Sequence, residues 1–182
     1  MRLIATAALV GLMLHEAPSA LAKQPTVVDV PNGPAFVQLP GRKEVNARSG
    51  QDLFDNTVLR TSKPGRMQIK LSSGRQFRMG GNALLQLKNS TVTLKRGALI
   101  GWIQPGLKNR QPFTIQTRLA TASIQGTTVF IELDDDKLKV FSWEGEVNVA
   151  TTSGESYTLQ SGERVLVELN QPTITWSSPV KI

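Results

Sequence analysis

Cysteine is absent from this 182-residue chain, and histidine occurs once, as His15. No disulfide can form. Once residues 1–22 are removed, as the N-terminal pattern below predicts, no imidazole remains either. Ser-His-Asp and Cys-His nucleophile arrangements are then excluded, as are zinc and copper sites built on imidazole or thiolate. Tyrosine also occurs once, and Tyr157 with the three tryptophans does not make a cofactor box. Beyond the N-terminus no run is apolar enough to span a bilayer, which takes about 20 residues. A last absence is of one charge sign: residues 56–131 contain no Asp or Glu.

The N-terminus itself reads as a signal peptide. Arg2 supplies a positive start, Leu3 to Leu14 is an apolar run, and Ala20-Leu21-Ala22 offers small residues for cleavage. His15, Glu16 and Pro18 interrupt the run, which is too short for an anchor. Cleavage after Ala22 is expected, leaving a mature chain from Lys23 in the periplasm or outside the cell. A lipoprotein anchor would need a cysteine at the cleavage site.

The formal net charge is +7. Cations crowd the acid-free stretch: Arg60, Lys63, Arg66, Lys70, Arg75, Arg78, Lys88, Lys95, Arg96, Lys108, Arg110 and Arg118. From Glu132 to Glu168 carboxylates dominate, with only Lys137, Lys139 and Arg164 against them. Two readings stand side by side. The halves could pack together and neutralise one another, or the cations could form a face toward an anionic surface or partner. For the second, the candidate face is Arg60, Lys63, Arg66, Arg75, Arg78, Lys95, Arg96, Lys108, Arg110 and Arg118. Nucleic acid is not an expected partner for an exported protein. Anionic glycan, lipid headgroups or an acidic protein surface are.

What is there instead of catalytic groups is period-two patterning. Residues 23–50 carry Pro25, Pro31, Pro34 and Pro40 and read as an extended lead segment, either a tether or a strand covering a sheet edge, with a short strand at Ala35 to Leu39. From Gly65 onward, apolar and polar residues alternate in short runs: Met67/Ile69/Leu71, Phe77/Met79, Leu85/Leu87, Val92/Leu94 and Ala98 to Ile103. Phe113/Ile115, Val129/Ile131/Leu133, Leu138/Val140, Val147/Val149, Tyr157/Leu159 and Val165/Val167/Leu169 continue the pattern. Strands at this spacing predict a single all-β domain of many short antiparallel strands, forming a β-sandwich, jelly roll or coiled β-roll. Phe130, Phe141 and Trp143 oppose the aliphatic face, so both faces of this central part are expected to be covered. Ile174 to Trp176 offers a further strand. The expected division is a signal peptide at 1–22, a lead segment at 23–50, the all-β domain at 51–170 and a tail at 171–182.

Carboxylates are the remaining candidates for chemistry. Asp134 to Asp136, Glu144, Glu146, Glu155, Glu163 and Glu168 nearly all fall in or beside expected hairpin turns, where acids are ordinarily solvated. Asp134-Asp135-Asp136 lacks the glycine and distal glutamate of a calcium loop and reads as a hairpin turn. Gly145 after Glu144, and Gly126 before Thr127, read as turn positions. No catalytic residue, metal ligand or cofactor site is therefore expected, and no enzymatic activity.

Certain short motifs recur in a telling order. Leu59-Arg60-Thr61, Pro64-Gly65-Arg66 and Ile69 to Gly74 come first, then Arg96-Gly97-Ala98-Leu99. Thr121 to Thr127 with its Gly126-Thr127 pair follows, then Trp143-Glu144-Gly145-Glu146-Val147 and Ser161-Gly162-Glu163-Arg164. Their order and spacing from Val45 to Glu168 resemble a FecR domain over about two thirds of the chain. Its family turns would be Gly74, Gly97, Gly126, Thr127, Glu144, Gly145, Gly162 and Glu163, in structural roles. The resemblance implies a periplasmic all-β module acting by protein contact. In fuller regulators such a domain relays the state of an outer-membrane iron transporter to an anti-sigma segment. This chain is expected to be a stand-alone exported module without that cytoplasmic segment, docking on an envelope protein, or alternatively to be an envelope-associated structural or anionic-glycan-binding protein.

Overall fold

A computed structural model of the chain describes residues 23–88, 91–103, 112–125 and 128–169, and the backbone of 171–177. These residues form strands and no helix, in keeping with the all-β expectation. In chain order the strands are β1 (Thr26–Asn32), β2 (Ala35–Gln38), β3 (Val45–Asn46), β4 (Val58–Thr61), β5 (Arg66–Lys70), β6 (Gln76–Met79), β7 (Leu84–Lys88) and β8 (Thr91–Trp102). They continue with β9 (Phe113–Gln116), β10 (Ala120–Ile124), β11 (Thr128–Leu133), β12 (Lys137–Glu144), β13 (Val147–Thr151), β14 (Ser156–Leu159), β15 (Arg164–Glu168) and β16 (Gln171–Ser177).

The hydrogen-bonded order resolves into two sheets. Sheet I runs β1-β5-β6-β8-β11-β12-β15-β16, and sheet II runs β3-β2-β4-β7-β8-β9-β10-β13-β14. They share β8, whose first half (Thr91 to Arg96) pairs with β7 and β9 and whose second half (Gly97 to Trp102) pairs with β6 and β11. The inward faces meet in one core. Val129, Ile131, Leu133, Met67, Ile69 and Phe77 of sheet I are buried with Val92, Phe113, Ile115, Ile124, Val147 and Val149 of sheet II. Phe77 stacks on Phe113 across the gap, ring centroids 6.3 Å apart. The ring of Phe113 also lies over Gly101, where a Cβ would come within 2.7 Å of it. Strand pleating explains this division, since alternate side chains fall on opposite faces and the aliphatic set excludes water.

One turn expected from the sequence proves to be something else. Arg96-Gly97 does not separate two strands. It is a corner inside the single twelve-residue β8. Gly97 has φ +83°, and a Cβ there would fall 2.5 Å from the Ala83 Cα. Only glycine combines that backbone with so close a crossing. The register slips beside it, between Leu84 and Leu85, as the strand passes from one sheet to the other. A second departure from the antiparallel expectation is the β8–β9 pair, which is parallel (Thr91 opposite Thr114, Thr93 opposite Gln116).

The proline-rich lead lies within the sheets. β1 pairs with β5 at the margin of sheet I, and β2 pairs with β3 and β4 in sheet II. Pro31 is accommodated because it falls where the register of β1 with β5 is broken, between Asp29 and Asn32. Residues 35–39 were expected to contain a strand, and β2 is there. β1 lies at a sheet margin, one of the two readings of the lead segment; β3, β4 and β10 (Ala120–Ile124) are strands beyond those expected, and β16 covers the run expected near Ile174.

Candidate interaction surface

The cations of the expected basic face are dispersed. Arg66 and Arg78 project from β5 and β6 on the outside of sheet I, both exposed, with Arg78 Nη2 donating to Gln68 Oε1 at 2.6 Å. Arg60 projects from the other sheet. Its Nε and Nη2 donate to the two carboxylate oxygens of Glu44 at 2.9 and 2.5 Å, and its guanidinium sits 4.1 Å above the Phe36 ring. The hydrogen bond from Arg60 holds the Glu44 carboxyl below its ordinary range and raises the guanidinium in turn. Lys95 and Arg96 are exposed beside the β8 corner, where Arg118 donates to the carbonyls of Lys95 (3.2 Å) and Asp134. Lys63 is exposed in the turn before β5. Arg75 does not belong to any exposed face: it is 3 % exposed, and burial pushes its guanidinium pKa down. Lys108 and Arg110 lie outside the described residues.

Charge pairing follows the topology more than the two-halves expectation. Lys137 meets Glu168 at 3.1 Å across β12 and β15, and Lys139 meets Glu132 at 3.0 Å across β11 and β12. Hydrogen bonding to Glu168 raises the Lys137 ammonium. Both pairs lie within the acidic stretch, and Arg60–Glu44 reaches out to the lead segment; none of the three joins the basic stretch to the acidic one.

The family-motif turns serve the fold. Gly74, Gly145 and Gly162 all have positive φ. The two closing turns are tied together through buried Ser142. Its Oγ donates to the Gly145 carbonyl (2.8 Å), its amide to the Glu163 carbonyl (2.9 Å), and its own carbonyl accepts from the Gly162 amide (2.7 Å). Ser161 Oγ accepts from the Gly145 amide at 2.9 Å, and Glu163 Oε2 accepts from the Gln160 amide at 2.8 Å. Glu144 is exposed at the end of β12. Gly126 and Thr127 lie outside the described residues. Ser142 was not anticipated from sequence, since a serine in a strand carries no signal until its partners are adjacent, and Ser161 was read only as part of a turn motif. Gly65 of the opening motif has its own reason: a Cβ there would run into the Pro34 carbonyl.

Asp134 to Asp136 form the exposed turn of the β11–β12 hairpin, closed by the Asp134 amide and the Lys137 carbonyl at 2.9 Å. Among the described residues no three His, Cys, Asp or Glu side chains gather in a way that could hold a metal ion. No described helix is long and apolar enough to cross a membrane.

The outer face of sheet I is where the expected covering is missing. Phe130 and Phe141 are only half-buried, Ile100 is 41 % exposed and Trp143 is 61 % exposed. Cross-strand register lines these residues up: Gln68, Arg78, Ile100, Phe130, Phe141 and Arg164 stand opposite one another on β5, β6, β8, β11, β12 and β15. Trp143 packs edge-on against Phe141, centroids 5.9 Å apart. Beside this row lies a notch of about 290 Å³, floored by Gly80 and Ala98 and walled by Arg66 and Arg78 on one side and Ile100 and Phe130 on the other.

Fold and surface together define an all-β module of two sheets sharing one strand, with an aromatic and basic outer face. Its family is the FecR family: the model described as FecR protein matches residues 57–148, half of the chain, and the chain belongs to it. No curated protein matches the sequence. Two solved structures of a candidate anti-sigma factor from Parabacteroides distasonis share the fold, with TM-scores of 0.56 and 0.54 at 16 % identity. In each case the match covers 66 % of this chain and 58 % of the other.

Proposed function

We propose that this chain is an exported, non-enzymatic FecR module that binds another protein of the cell envelope and takes part in signalling there. The observation that carries the reading is the FecR match over residues 57–148, which spans β4 to β13 and so most of both sheets. The shared fold of a candidate anti-sigma factor points the same way. The lack of cysteine, and of histidine after His15, leaves few of the groups that enzymes of acyl or metal chemistry use. A glycan-binding role through one basic face has less behind it, because the described cations are divided among separate surfaces and Arg75 is buried.

The test is capture by the mature chain, Lys23 to Ile182, from solubilised envelope of the producing cell, at low and high salt. A discrete protein kept at high salt, whose loss reproduces the transcriptional effect of deleting this chain, is the expected result. Recovery of glycan or lipid alone, released by salt, would overturn the reading, since contacts between exposed charges are screened within about 10 Å at 0.1 M salt. N-terminal sequencing of the periplasmic fraction should begin at Lys23.

A further inference from the structure

We infer that the outer face of sheet I is the docking surface of this module, and that its occupant is an acidic amphipathic segment of a protein partner. The inference rests on the protein-binding reading above and adds to it the place and the chemistry of contact.

Apolar content is the first argument. A solvated sheet face is ordinarily polar. Here Ile100, Phe130 and Phe141 occupy adjacent positions on three neighbouring strands, and Trp143 extends the row along β12. Three strands about 4.8 Å apart place the outer two about 10 Å from each other. Seven residues of an α-helix rise about the same distance, so apolar side chains at i, i+4 and i+7 of one segment cover the whole row.

The notch supplies the second. At about 290 Å³ it lies at the bottom of the size range of small-molecule sites, about 300–1,000 Å³, and it suits one bulky side chain. Its depth comes from Gly80 and Ala98, the two residues of that surface with least side chain. Gly80 does not need to be glycine for its backbone. Its φ is not in the left-handed region, and a Cβ would meet only ordinary contacts at 3.5 and 3.8 Å. The missing side chain opens a space on the surface and relieves no strain.

Charge complementarity selects the partner. Arg66 and Arg78 line the β5–β6 side of the notch, and Lys70 lies further along β5. Of the carboxylates on this face, Glu132 is engaged by Lys139 and Glu168 by Lys137, Asp29 lies across β5 on β1, and Glu144 lies at the far end of β12. A segment that places a carboxylate beside its apolar anchor therefore finds arginines at the notch, while a basic segment is repelled. Aromatic residues and arginine around a pocket are also the composition that dominates binding energy in protein interfaces.

The test uses the full chain in the cell that makes it, with the photo-crosslinking residue benzoylphenylalanine at Phe141 or, on the outside of sheet II, at Thr114. Expected are protein adducts from position 141 only, mapping by mass spectrometry to a segment with carboxylates flanking apolar residues. The double change Arg66→Glu and Arg78→Glu should cut those adducts about tenfold or more, and Gly80→Leu, which fills the notch, should do the same. Neither change should move the thermal transition appreciably. Protein adducts from position 114 alone would overturn the docking site and leave the protein-binding function standing. Adducts from 141 to lipid, glycan or another copy of this chain would overturn the choice of occupant, as would adducts unaffected by the charge reversal. An absence of protein adducts from both positions would overturn docking site and function together.

Discussion

The outward faces of the two sheets are built from different chemistry. On sheet II, rows of hydroxyls and amides face water: Thr91 stands opposite Thr114, which stands opposite Ser123, which stands opposite Asn148, which stands opposite Thr158. A parallel row joins Gln86, Thr93, Gln116 and Thr121. On sheet I the corresponding row is Arg78, Ile100, Phe130, Phe141 and Arg164. Both sheets bury apolar inner faces, and that core does not require apolar residues on the outside. The contrast teaches that the hydrophobic residues of sheet I fall into two sets, one that stabilises the fold and one that is free for contact with something else.

The comparison can be broken in order of expected effect. Phe113→Ala removes the ring that both stacks on Phe77 and covers Gly101; it should cost about 3–5 kcal/mol, read by urea unfolding of the mature chain. Gly97→Val should follow closely, by about 3 kcal/mol, because a side chain at φ +83° meets the Ala83 backbone. If either variant unfolds like the parent, the account of the shared strand is wrong. By contrast Phe141→Thr on the outer face should shift stability by about 1 kcal/mol or less while abolishing high-salt capture of the protein partner by the mature chain. Thr114→Ala, on the polar face, should change stability by about 0.5 kcal/mol or less and leave docking intact. A large loss of stability from Phe141→Thr would mean that the aromatic row belongs to the core.

The smallest effect concerns acid. Glu44 titrates lower in the folded chain than in the unfolded one, because Arg60 bonds its ionised form. Its contribution is therefore present above the ordinary carboxylate pKa and is lost as pH falls through the lowered value. Glu44→Gln should flatten the stability profile below about pH 4.5 and leave the profile near pH 7 parallel to that of the parent.

Much of this protein is legible in its residues alone. Period-two alternation at Met67/Ile69 or Val129/Ile131/Leu133 identifies strands because pleating separates neighbours onto opposite faces, whatever the topology. Gly74, Gly145 and Gly162 mark tight turns, because positive φ is a local property of the chain. The family motifs are legible for the same reason, since most are turns. Other features depend on which distant strand lies alongside. In β11 and β12 the face opposite the aliphatic one carries Phe130, Phe141 and Trp143 among Thr128, Glu132, Lys137 and Lys139, and alternation cannot say whether another layer will cover it. Partnering with β8 and the approach of Phe113 decide that, leaving Phe130 and Phe141 outside. Arg75 and Arg78 are three residues apart and alike in sequence, yet one is buried and the other exposed. Gly97 looks like a turn and is a corner, because its geometry is set by Ala83, fourteen residues away. Sequence determines the strand-forming tendency and the turns, which are local; pairing, sheet facing and the surface left open come from long-range contacts that exist only once the chain has folded.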